Sequence, residues 1–127
     1  MQENHLYEYA VIRIVPRIER EEFFNAGLIL FSKKARYIRI QTYLNENKLK
    51  LYSTECDKET LLSHLSSWEI IALGKKEGGY IASLEIAERF RWLTALRSTC
   101  LQTSRPHSGF SNNLDQTFET LFEELVL

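Results

Sequence analysis

The sequence predicts an α+β fold: a small antiparallel sheet, drawn mainly from residues 6–52, packed with two or three helices and closed by a C-terminal amphipathic helix. Three observations predict it. Residues 7–15 and 37–43 alternate apolar and polar side chains with period two, as half-buried strands do. Residues 25–31 are nearly continuous in apolar residues, which suits a strand covered on both faces. Leu114, Phe118, Leu121, Phe122 and Leu125 recur at helical spacing.

Taken in order, Tyr7 to Val15 is a first strand, with Tyr7, Tyr9, Val11 and Arg13 on one face. Pro16 ends it, because proline has no N–H to give to a ladder. Arg17 to Glu22 is a charged connection. Asn25 to Phe31 is the second strand, and Gly27 within it marks a bulge or a close backbone approach. Ser32 to Ala35 has hairpin-link length. Tyr37 to Tyr43 is the third strand, with Ile38 and Ile40 toward a core and Tyr37, Arg39, Gln41 and Tyr43 outward. Leu49 to Tyr52 fits a short fourth strand. Asp57 is placed to cap a helix running to about Leu73, because its carboxylate accepts from an orphan N–H. That helix shows Leu61, Leu65, Trp68 and Ala72 on one stripe. Thr54 and Asp57 also form a capping-type pair. Gly74 to Gly79 is a turn-rich link. Ser83 is the expected cap of the next helix, with Ile86, Phe90 and Leu93 on its buried side. Thr99 to Thr103 suits a strand returning to the sheet, and residues 102–113 read as the longest loop. Asn113 with Gln116 resembles a capping box opening the last helix.

At 127 residues the chain allows one domain, 1–127, and 44% hydrophobic with 26% charged residues reads as globular. No apolar run approaches the roughly 18 residues of a membrane span. Met1 to His5 is polar and leads into no signal-like run, so a cytoplasmic location without membrane attachment is expected. The net charge of −1 gives no global basic field. Cys56 and Cys100 fit no metal spacing and no disulfide framework, and free thiols are expected. The three histidines are too scattered for zinc, and no phosphate loop, dinucleotide glycine pattern or nucleophile elbow is present, so no metal or cofactor is expected.

Charge is segregated although its total is small. Residues 13–50 hold nine basic and four acidic residues, a balance of +5. Residues 89–111 hold Arg89, Arg91, Arg97 and Arg105 with no acid, and residues 112–127 hold four acids. Such runs usually form solvated faces and surface ion pairs. A sharper reading brings Arg13, Arg91 and Arg97 together near the 102–113 loop as an anion site, because guanidinium offers a planar fork to carboxylates and phosphates. Ser98 and Thr99 would add hydroxyl donors there. The alternative pins an arginine to Glu22 or to loop carbonyls. His107 suits acid–base chemistry near neutral pH, yet no carboxylate lies near it in sequence, and it is a weak catalytic candidate. Asn25 is read as a hydrogen bond across a neighbouring connection, with ligand contact as the alternative. The outward tyrosines and arginines of the strands also resemble the surfaces on which RNA bases stack.

Two blocks carry a family resemblance. One is YAVIRIVP followed by REEFFNAGLILF, between Tyr9 and Phe31. The other is RFRWLTALRST, LQTS, HSGF and LFEELV, between Arg89 and Val126. Together they resemble the bacterial family of domain of unknown function 3037 (DUF3037), small stand-alone proteins with no assigned activity. The family pattern includes Arg13, Asn25, Gly27, Arg89, Trp92, Arg97, Ser98, Thr99, Gln102, His107 and Gly109. This chain departs from it at Leu96 and Arg105, where proline is expected, and at Asn112 and Asn113, where acids are common. The resemblance implies an accessory role beside kinases similar to the HipA toxin. The leading expectation is therefore a non-enzymatic accessory or interaction module with a protein partner. A nucleic-acid-binding module is the alternative. A small enzyme acting on a phosphorylated ligand, with His107 as acid–base group, is the third reading.

Overall fold

A computed structural model describes residues 3–52 and 56–127. Its centre is a five-stranded antiparallel sheet. Strands β1 (His5–Ile14), β2 (Phe24–Ser32) and β3 (Tyr37–Thr42) form a meander. Along its other edge β1 pairs with β4 (Leu101–Thr103) opposite Ile12–Ile14 and with β5 (His107–Ser111) opposite His5–Tyr9. Ser104 joins these two short strands: its N–H donates to the Val11 carbonyl at 2.8 Å, and its buried hydroxyl accepts from the Val11 N–H at 2.9 Å. The ladder is thus satisfied across the Arg105–Pro106 break.

The sheet is packed on both faces, which explains the unbroken apolar run of β2. One face holds Ala10, Ile12, Ile14, Ile29 and Phe31 against helices α2 (Lys58–Ala72) and α4 (Ile86–Leu93), through Leu61, Leu65, Trp68, Phe90 and Leu93. The other holds Val11, Leu28 and Leu30 against α5 (Leu114–Leu125), through Leu114, Phe118 and Phe122. Gly27 stands at a register shift between β1 and β2. A Cβ there would lie 2.8 Å from the Gln41 carbonyl of β3, so only glycine lets the strands close.

The capping signals are realised at two helices. The Asp57 carboxylate accepts from the Thr60 N–H at 3.2 Å, and the Asn113 side chain accepts from the Gln116 N–H at 3.1 Å. The Thr54 part of the first pattern lies outside the described residues. Four expectations are corrected. Residues 49–52 form no strand: Asn45 accepts from the Lys48 N–H at 3.1 Å and starts a short helix, α1 (Glu46–Lys50). Ser83 caps nothing; its hydroxyl donates to the Tyr80 carbonyl at the end of α3 (Gly79–Ala82), and Glu85 stands at the start of α4 without a side-chain cap. The 102–113 stretch is largely β4 and β5 rather than a loop, because β1 offers it an open edge. Cys56 and Cys100 are joined as a disulfide, with Cα atoms 6.6 Å apart. Their separation of 44 residues carries no signal of this. The packing of α2 over the sheet face to which β4 belongs brings them together.

Candidate functional site

Arg13 sits on β1 between Asn25 of β2 and Gln102 of β4. Its guanidinium carbon lies 4.0 Å from the centre of the Phe23 ring. The Nε is buried with no hydrogen-bond partner, and no carboxylate pairs with this arginine among the described residues. Burial draws its pKa below the usual arginine value. Beside it opens a cleft of about 330 Å³ lined by Arg13, Val15, Ile18, Glu21, Phe23, Leu96, Arg97, Ser98 and Gln102. The expected approach of Arg13, Arg97 and Ser98 is therefore present, at the β4 end of the segment.

Arg97 has a second task. Its Nη atoms donate to the carbonyls of Leu93 at 2.7 Å and Trp92 at 2.6 Å, in the last turn of α4. The guanidinium also lies 4.6 Å from the Trp92 ring and 4.9 Å from Trp68. A cation at a helix C-terminus offsets the negative end of the backbone dipoles. Arg97 thus ties the 94–100 segment to carbonyls of the helix end, and not to Glu22, which pairs with Arg20, while still adding positive charge to the cleft.

The other candidates lie elsewhere. Arg91 makes a two-pronged ion pair with Glu8, at 3.0 and 2.9 Å, which holds its pKa above the usual value. Glu8 stands five residues from Arg13, roughly 17 Å along an antiparallel strand, so Arg91 does not share the cleft. His107 is exposed on β5 opposite Tyr9, its ring 5.4 Å from the tyrosine ring, and roughly 13 Å along the strand from the Arg13 position. It does not meet the arginines. Ser104, a conceivable nucleophile, is occupied in the β1 ladder. The Asn25 amide donates to the Leu125 carbonyl at 2.8 Å and so anchors the end of α5. Gly74 has a left-handed φ of 70° at the end of α2, and a Cβ there would run into the Arg89 guanidinium.

Much of the outward face of the strands is covered by α5. The Tyr37 hydroxyl donates to Asp115 of α5 at 2.6 Å, and the Arg39 guanidinium lies 4.4 Å from the Phe118 ring centre. Burial, helped by the Asp115 carboxylate, pushes the Tyr37 phenol up to about 12. Tyr7 and Tyr9 also pack beside the α5 core. Of the aromatic platform expected for base stacking, Tyr7, Tyr9 and Tyr37 are thereby taken up by the protein's own helix, while Tyr43 stays exposed. Three of the seven Lys and Arg side chains on β1–β3 and their links are paired with carboxylates: Arg17 with Glu19, Arg20 with Glu22, and Arg39 with Asp115.

Sequence reasoning missed a second concavity. Leu6 and Phe110 are cross-strand partners at the β5 end of the sheet, 52% and 67% exposed. With Phe31, Ala87 of α4 and Tyr7 they line a groove of about 470 Å³. Leu6 lies in register with Ala10, Ile12 and Ile14, so its side chain continues the face that α4 covers further along. The helix runs out before the sheet does. Lys33 and Lys34, from the β2–β3 turn, stand on the rim with the Arg91–Glu8 pair. The signal in the sequence was an apolar Leu6 and Phe110 at strand ends with two adjacent lysines nearby, which pairing alone could unite.

Among the described residues, no three His, Cys, Asp or Glu side chains are grouped to hold a metal ion, and no helix is long and apolar enough to cross a membrane. A protein family described as protein of unknown function (DUF3037) matches residues 9–126. No curated protein and no solved structure matches the chain.

Proposed function

The chain belongs to the DUF3037 family, and on that premise we propose that it is a non-enzymatic accessory module whose Leu6–Phe110 groove docks an acidic, apolar-anchored segment of a partner protein. The observation that carries this is the exposed apolar pair at the uncovered end of the sheet, framed by Lys33 and Lys34. Isolated exposed hydrophobics are ordinary, but paired ones lining a concave surface are the usual anchor sites of interfaces. The two rim lysines have no carboxylate partner among the described residues, whereas Arg91 is neutralised by Glu8. The rim therefore favours an acidic flank on the occupant. The separation of His107 from the arginine cleft supports the same reading over an enzyme with His107 as acid–base group. The family resemblance makes a kinase similar to the HipA toxin one partner of interest.

The test is a peptide-display selection on the intact protein. Enrichment of sequences with an aromatic or leucine anchor beside Asp or Glu, abolished by Phe110→Asp and weakened by Lys33→Glu with Lys34→Glu, supports the proposal. Enrichment independent of residue 110, or of basic sequences, overturns it. Dimerisation in sedimentation that Phe110→Asp abolishes would show a second copy as the occupant, and would overturn it too.

A further inference from the structure

We infer that the Arg13 cleft is a second binding site, for a carboxylate carried on a small apolar body. Four observations on this cleft converge. The Arg13 guanidinium stands in it without a carboxylate of the protein's own, while Arg17, Arg20, Arg39 and Arg91 are each matched with one. An unmatched, partly buried guanidinium is costly to keep unless another anion completes it. The apolar lining is Val15, Ile18, Phe23 and Leu96, of which Val15 is buried and Leu96 fully exposed. They suit a hydrocarbon body beside the charged end. Ser98 and Gln102 add neutral polar groups at the same opening. The volume, about 330 Å³, is that of a small-molecule site.

Charge selects the anion. Arg13, Arg97 and one carboxylate, Glu21, line the cleft, which leaves a single net positive charge. That balance matches a monoanion. A phosphate monoester near neutral pH carries about −1.5 to −2, and the second charge would be repelled by Glu21. Arg97 contributes field more than contact, because its Nη atoms already serve the carbonyls of Leu93 and Trp92. Arg13 is left as the residue that receives the carboxylate through its planar fork. The cleft and the Leu6–Phe110 groove lie at opposite ends of β1, so the two proposals stand or fall separately.

The test titrates the intact protein with 3-phenylpropionate, its neutral amide and phenyl phosphate, read by NMR at the Arg13 Nε–H and the Phe23 ring. Saturable shifts with the carboxylate, none with the amide, and weaker binding of phenyl phosphate are expected. Arg13→Gln should weaken carboxylate binding by about tenfold or more, the usual effect of losing a charged hydrogen bond. Glu21→Gln acts in the opposite direction: it should tighten phenyl phosphate more than the carboxylate. This second variant keeps the test decisive if Arg13→Gln does not fold. A peptide ending in phenylalanine, with free or amidated C-terminus, separates a protein chain end from a free acid as the source. Preference for the free over the amidated end supports the site. No saturable shift with any carboxylate, equal affinity in Arg13→Gln, or tighter binding of the phosphate would overturn it.

Discussion

Replacing Phe118 by alanine tests how the C-terminal helix is held. Phe118 is fully buried between Val11, Leu28 and Leu30 of the sheet and Phe122 of its own helix, with ring centres 6.2 Å apart in that pair. Arg39 covers the ring's remaining side. A truncated phenylalanine in such a site leaves a cavity that strands and helix cannot close, and the cost is about 3–5 kcal/mol. For a chain of this length that is a fall in Tm of about 11–19 °C, taking about 2.1 cal/mol/K of unfolding entropy per residue. The half-buried Leu121, on the same helix, should cost roughly half as much because less apolar area leaves water. Urea unfolding followed by circular dichroism measures both, with an unchanged denaturant slope confirming that the native fold persists. A loss below about 1 kcal/mol for Phe118→Ala would show that α5 adds little to the folded state, and that the second face of the sheet is not the core described above.

Reducing the Cys56–Cys100 bridge should lower stability by about 3–4 kcal/mol, from the loop it closes; equal melting with and without reductant would contradict that. Arg97→Ala should cost about 1.5–3 kcal/mol through the freed carbonyls of Leu93 and Trp92, and a melting curve matching wild type would refute its tethering role. Tyr37 should ionise near pH 12, measurable as the phenolate absorbance lost in Tyr37→Phe. Because its folded pKa lies above the ordinary value of 10.0, its contribution to stability is fully present below pH 10 and declines as pH rises toward 12. A Tyr37 titration at the ordinary value would show that the Asp115 contact and the burial are absent in solution.

Local chemistry accounts for what was legible in the sequence. β1, β2 and β3 were marked by alternation and by an apolar run, and α2 and α5 by Asp57, Asn113 and their apolar stripes. Gly27 announced a close approach because nothing else in an apolar strand calls for glycine. What was not legible depended on pairing. Residues 107–111 look like a loop by composition, with serine and glycine among them, and become β5 because β1 has an open edge beside them. Leu49 and Tyr52 look strand-like, yet the Asn45 cap turns the chain into α1. At the candidate site, positive charge without acid in 89–111 pointed to Arg97 and Ser98, and the structure does bring them to Arg13. It could not say that Arg91 reaches Glu8 instead, or that Asn25 holds the end of α5, because those partners are 83 and 100 residues away. The Leu6–Phe110 groove was invisible for the same reason: its two halves come from opposite ends of the chain.

The docking role of that groove is tested most directly by site-specific photo-crosslinking in the native cell, with a benzophenone side chain at position 110 and, as a control, at the exposed Leu62 of α2. A discrete heterologous adduct is expected from position 110, absent from position 62 and suppressed when Lys33 and Lys34 are changed to glutamate. The crosslinked segment of the partner should be acidic with an apolar anchor. Adducts equal from both positions, adducts with a second copy of this chain, or an adduct indifferent to the lysine reversal would contradict it.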